Sequence, residues 1–159
     1  MGGLVSEILA VLRTITAIKF TSVWNNQFQY MEDGKSYSFP MPCSFVQVEN
    51  DNSMDIGGKY QGSDLDITIH IGQDVLNGDL MDENLTIFEL RDLVIKAFSV
   101  FKPTTGGLMV KVSEGQDFDH TNIYHYEIKF KTQWIDNTAV PIEYYSIPPT
   151  ALSATITTT

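Results

Sequence analysis

The stretch Asp64-Leu65-Asp66-Ile67-Thr68-Ile69-His70-Ile71-Gly72 decides the fold. Leu65, Ile67, Ile69 and Ile71 alternate with Asp66, Thr68 and His70, the period of two that marks a half-buried strand. The apolar members are mostly β-branched, which suits a pleated surface packed on one side. A polar loop from Gly72 to Asn84 follows, carrying Asp74, Asp79, Asp82 and Glu83. These acids lack the register of a calcium loop, so the expectation is a solvated connection rather than a cation site. A helix comes next. Thr86 and Glu89 form a T-x-x-E capping box, and Ile87, Leu90, Val94, Ala97, Phe98 and Phe101 recur at helical spacing. Lys102 suits the negative end of the helix dipole and Pro103 stops the helix. This helix laid on the strand is the expected core.

Working outward, Leu4 to Ile18 reads as an amphipathic helix whose wide stripe of Leu4, Ile8, Val11, Ile15 and Ile18 can dock on the sheet or meet another subunit. Phe20, Trp24, Phe28 and Tyr30 share parity, which predicts a strand over Lys19 to Met31. Asp33-Gly34 then reads as a hairpin turn, with Lys35 to Phe39 returning. Pro40 and Pro42 keep the next segment out of a central ladder position, and Ser44 to Glu49 reads as a strand. Asn50 to Asp64 reads as a polar loop. Beyond the second helix, Leu108, Val110 and Val112 alternate as a strand. Asn122 to Trp134 is a long one, with Tyr124, Tyr126, Ile128 and Phe130 on one face and His125, Glu127, Lys129 and Lys131 on the other. The fold class expected is α+β: a mainly antiparallel sheet of about five to six strands flanked by two main helices. A domain over 1–140 precedes a C-terminal arm over 141–159, where Pro141, Pro148 and Pro149 break regular structure and Tyr144 and Tyr145 can anchor the uncharged end on a neighbouring subunit.

The formal net charge of −10 over 159 residues disfavours a protein that grips phosphate backbones. The lone Cys43 cannot form an intramolecular disulfide and sits in a strand-like run, so it reads as a small buried hydrophobe in a reducing compartment. Neither a signal peptide nor a membrane span is expected. Gly57-Gly58-Lys59 lacks the spacing of a phosphate loop, and there is no Gly-x-Ser-x-Gly elbow. His70 and His125 fall on polar strand faces and His120 in a loop. Asp117-x-Asp119-His120 is the one cluster with metal-binding residue types, and no second His/Cys cluster in the sequence supports it. The expectation is therefore no enzyme, no catalytic residues, no metal and no cofactor.

The order of elements, with FPMPCSFVQVEN (39–50), SDLDITIHIGQDVLNGD (63–79), LRDLVIKAF (90–98) and YHYEIKFKTQWIDNTA (124–139), resembles the tail-terminator (tail-completion) proteins of tailed bacteriophages and the related neck ring proteins. The likeness runs over roughly residues 4 to 138 and is one of pattern rather than motif. It implies a structural virion protein, assembled in the host cytoplasm, that closes into a ring of six copies, or twelve. Such a ring meets tail-tube and neck or connector proteins, lets genomic DNA pass through its lumen without specific binding, and touches no membrane. Asp74, Asp79, Asp82, Glu83, Asp117, Asp119, Tyr144 and Tyr145 are the candidate interface or lumen residues. On residues alone two other classes stay open. One is a non-enzymatic adaptor module unrelated to phage tails. The other is a small hydrolase or metal-dependent enzyme, which would need the acids of the 72–84 and 114–120 loops to converge.

Overall fold

In the computed structural model, which describes residues 1–34, 39–57, 60–74, 80–104, 106–120 and 122–136, the alternating stretch lies at the centre of a five-stranded sheet. The side chains of residues 80–86 are also outside the description. The elements are α1 (Gly2–Arg13), β1 (Phe20–Val23), α2 (Gln27–Glu32), β2 (Cys43–Gly57), β3 (Tyr60–Asp74), α3 (Leu80–Phe98), β4 (Val110–Asp117) and β5 (Ile123–Asp136). The strand order is β1-β2-β3-β5-β4. β1 joins β2 in parallel and every other pair is antiparallel. The mainly antiparallel α+β architecture is the one expected.

Register turns the alternation into a core. Ile69 stands between Val46 of β2 and Ile128 of β5, and Ile67 between Val48 and Phe130. Leu4, Ile8 and Leu12 of α1 and Ile87, Leu90, Val94 and Phe98 of α3 close over this first face. The four apolar positions of 65–71 have no solvent exposure at all, which for each side chain is worth about 1.5–3 kcal/mol over leaving it wet. Two polar clasps fix the helices. The Arg91 guanidinium of α3 pairs with Glu114 of β4, Nε to Oε2 at 2.9 Å, and the Thr104 amide donates to Glu7 of α1 at 2.8 Å.

Several local expectations are corrected. α1 stops at Arg13, although Ile15 and Ile18 stay buried in the turns that follow. α3 begins already at Leu80, so Thr86 and Glu89 lie inside it and Asp82 and Glu83 fall in its first turn rather than in a loop. The hairpin expected around Asp33-Gly34 does not form: β1 ends at Val23 and α2 follows. Phe20, Trp24 and Phe28 recur every fourth residue, a spacing that satisfies strand parity and helical period alike. Asn26, in the left-handed region at φ 57°, turns the chain between the two elements, and Gly34 at φ 70° ends α2 instead of turning a hairpin. Residues 35–38 of the expected returning run lie outside the described residues, as do the arm at 141–159, Tyr144 and Tyr145 within it, and Asp79. The polar stretch 50–64 is strand rather than loop: Asn52 pairs with Asp64 and Met54 with Gly62, and residues 61–64 pair on their other side with the end of β5, Gly62 with Ile135. Residues 50–57 are exposed on both faces, so burial imposes no apolar alternation on them. The strand expected from Leu108 begins at Val110, and Met109 rather than its neighbours turns inward.

Among the described residues, the second face of the sheet is covered at one end only. Phe28 of α2 packs there with Cys43, Phe45 and Ile123, ringed by Phe20, Trp24, Met31, Phe39 and Met41. Phe28 reaches the sheet because Gly72 has no side chain: a Cβ there would lie 2.3 Å from the Phe28 Cζ and 3.1 Å from the Cys43 Sγ. Gly72→Ala is therefore expected to cost about 2 kcal/mol in urea unfolding through overpacking. Gly115→Ala, whose Cβ meets nothing within 4 Å, is expected to stay within about 0.5 kcal/mol of the wild type. Equal effects at the two positions would contradict this packing.

Candidate functional site: a buried histidine cluster

Two histidines brought together from sequence positions far apart form the centre of the site. On the second face, β3 and β5 pair so that Gly72 opposes His125 and His70 opposes Glu127, which makes His70 and His125 diagonal neighbours. The connection after β4 brings His120 to the same place. His70 and His125 are 2% and 1% exposed. The expectation that they lie on wet strand faces is corrected: they are on the face opposite the isoleucines, but Trp24, just beyond β1, and Phe28 of α2 cover that face here. Trp24 stacks on His70 with ring centres 4.1 Å apart and planes 9° from parallel. Phe28 meets His125 edge-on at 4.8 Å.

The hydrogen bonds form a chain. His70 Nδ1 lies 2.9 Å from His125 Nε2, and His70 Nε2 lies 2.9 Å from Gln47 Oε1. Asp117 Oδ2 stands 3.0 Å from His125 Nδ1, and Glu127 Oε1 stands 3.4 Å from His70 Nδ1. Glu32 of α2 reaches His120 Nδ1 at 3.4 Å. Burial pushes His70 down to about 3, helped by the neighbouring His125 and then Lys129. Burial also lowers His125, against the pull of Asp117 and Glu127. Desolvation raises the Asp117 carboxyl, but the Asp119 amide and the two imidazoles beside it outweigh that and hold it below its ordinary value. Near neutral pH the pair is uncharged, with one carboxylate at its end. Such a group of atoms can relay a proton or bind a cation.

The residues singled out from sequence divide cleanly. Asp117 joins the cluster. Asp119 contributes its backbone N–H to Asp117 Oδ1 at 3.0 Å. Asp74 is exposed at the end of β3, on a shallow rim with Met31, Glu32, Asn122 and Ile123. Asp82 and Glu83 lie on α3. Cys43 is fully buried, and burial pushes its thiol up, so it behaves as the small hydrophobe expected. His70, His125, Glu32 and Trp24 were missed as members of one site. Only the strand register, which no local motif announces, places residues 55 positions apart in contact. No protein-family model matches the chain, and no curated protein matches it at a significant level.

Because His70 is held below its unfolded value of 6.5, its neutral form contributes stability above that pH and the contribution is lost as pH falls toward about 3. Between pH 7 and pH 5 this one group is expected to remove about 2 kcal/mol. Urea midpoints measured in EDTA-containing buffer should drop accordingly, and His70→Gln should flatten the dependence. A midpoint that holds or rises on acidification would refute the buried neutral state.

Proposed function

We propose that this chain is a structural subunit that closes into a ring with copies of itself, of the kind that joins tail tube to connector at the neck of a tailed bacteriophage. The reading is supported first by the fold, which agrees with what the resemblance implies. The observation that carries it is the open end of the second face. β4 is an outer strand of the sheet and holds Val110 and Val112 at 60% and 50% exposure, with Leu108 beside them. Across β5 the projecting β2–β3 arm and the strand end next to it expose Met54, Ile56, Tyr60 and Ile135. Apolar side chains along an unpaired strand edge favour pairing with another chain. Two such groups in different places on one protomer suit a heterologous contact, in which one patch meets a different patch on the next copy, and that geometry closes rings.

The net charge of −10 fits the same role, since an anionic bore repels DNA and keeps it from adhering. Tail-tube and connector proteins would stack on the two rims of such a ring. Sizing with light scattering at high protein concentration is expected to give a closed oligomer, with six copies as the first expectation. The double variant Val110→Lys, Val112→Lys is expected to dissociate to monomer while its unfolding free energy stays within about 0.5 kcal/mol per site, as for exposed positions. A wild-type chain that stays monomeric and does not associate with tail-tube or neck proteins would overturn the reading.

A further inference from the structure

The cluster contains one buried polar atom whose needs the protein does not meet. Gln47 Nε2 donates to Glu49 Oε1 at 2.7 Å, which fixes the amide and leaves Gln47 Oε1 as an acceptor. His70 must then carry its proton on Nε2, the atom 2.9 Å from that oxygen. A neutral His70 therefore accepts at Nδ1, and the donor is His125 Nε2–H. That leaves a lone pair on His125 Nδ1. This atom is buried and has no hydrogen-bond partner, although Asp117 Oδ2 lies only 3.0 Å away. The carboxylate oxygen is close but out of line with the ring nitrogen. Two electron-rich atoms so close in a buried site are unfavourable unless a cation lies between them.

We propose that Asp117, His120 and His125 form a transition-metal site, best matched to zinc, that ties the connection after β4 to the sheet. Each of the three offers one ligand atom, and these atoms all lie within 4.8 Å of one another. Ligands on tetrahedral zinc at bond lengths of about 2.0–2.2 Å stand roughly 3.4 Å apart, so a contraction of about 1 Å by the loop residues completes the set. Two imidazoles and one carboxylate suit zinc rather than magnesium or calcium, which prefer all-oxygen sites.

The surrounding hydrogen bonds are those a metal site requires. His125 presents Nδ1 because its other nitrogen is held by His70, which Gln47 holds in turn. Asp117 keeps Oδ2 available because its Oδ1 takes the Asp119 amide. Glu32 beside His120 is a carboxylate of the type that orients metal-bound imidazole. His70 and Glu127 also approach His125, but the facing nitrogens of the two imidazoles already bond each other, so that second grouping has no free donor on His125. The side chains of His120 and His125 are 5% and 1% exposed and that of Asp117 is 29% exposed, so the fourth position of a tetrahedral ion falls to a water entering on the Asp117 side. The proposal does not rest on ring formation.

The test uses the full chain without a polyhistidine tag, stripped with EDTA and titrated with zinc chloride by calorimetry. One zinc per protomer and a raised thermal midpoint are expected, with no such rise from magnesium. Asp117→Asn and His120→Gln, both at the edge of the cluster and checked for folding by circular dichroism, should each weaken zinc binding at least about tenfold. Cobalt in place of zinc should give the intense visible bands of a tetrahedral site. Absence of stoichiometric zinc binding, or variants that bind as the wild type does, would overturn the proposal and leave a proton as the only occupant of the His125 lone pair.

Discussion

The ring of Phe28 lies on the bare backbone of Gly72, and the arrangement of the second face follows from that contact. It lets the short helix α2 descend onto the sheet and places Trp24 flat against His70. The first face needs no such device. There the isoleucines of β3 meet two amphipathic helices, and the period of two meets the period of 3.6 in the ordinary way. β3 is thus buried on both faces near His70 and Gly72 and only on one toward its start. A single strand carries a wholly apolar face and, on its back, a face that is polar by composition but dry by position.

This asymmetry divides the molecule into a sealed end and an open end. At the sealed end, aromatic rings exclude water from a chain of imidazoles and leave them neutral. At the open end the back of the sheet carries Asp66, Lys129 and Lys131, with Lys131 3.3 Å from both Asp66 and Asp51 and Lys129 3.3 Å from Glu127. Exposed pairs of this kind add little to stability, because water and salt screen them. They set the sign and spacing of charge around the apolar residues of β4 and of the β2–β3 arm rather than the stability of the domain. A protomer built this way has its close packing at one end and its exposed apolar residues at the other, which is the division of labour the ring proposal needs.

Much of the fold was legible in sequence because its strongest signals were long and periodic. The alternation of 64–72, the stripe from Ile87 to Phe98 and the alternation of 124–130 each repeat enough times to fix element and face. The failures have specific causes. Phe20, Trp24 and Phe28 fit two periods at once, so a strand–helix pair read as one strand. The stretch 50–57 is exposed throughout, and Met54 and Ile56 alone are too short an alternation to mark a strand. The capping box at Thr86–Glu89 was a real pattern inside a longer helix. The site was half legible. Asp117 and His120 stand close in sequence, but His70 joins them through the pairing of β3 with β5. Its burial depends on α2, whose presence the sequence pattern concealed.

Whether the open end serves sister copies is tested most directly by imaging the purified chain in negative stain at micromolar concentration. The ring proposal predicts particles of one size with cyclic symmetry and an axial hole, built from protomers that touch through β4 and the β2–β3 arm. Isolated particles no larger than a single domain, or open chains without closure, would contradict it.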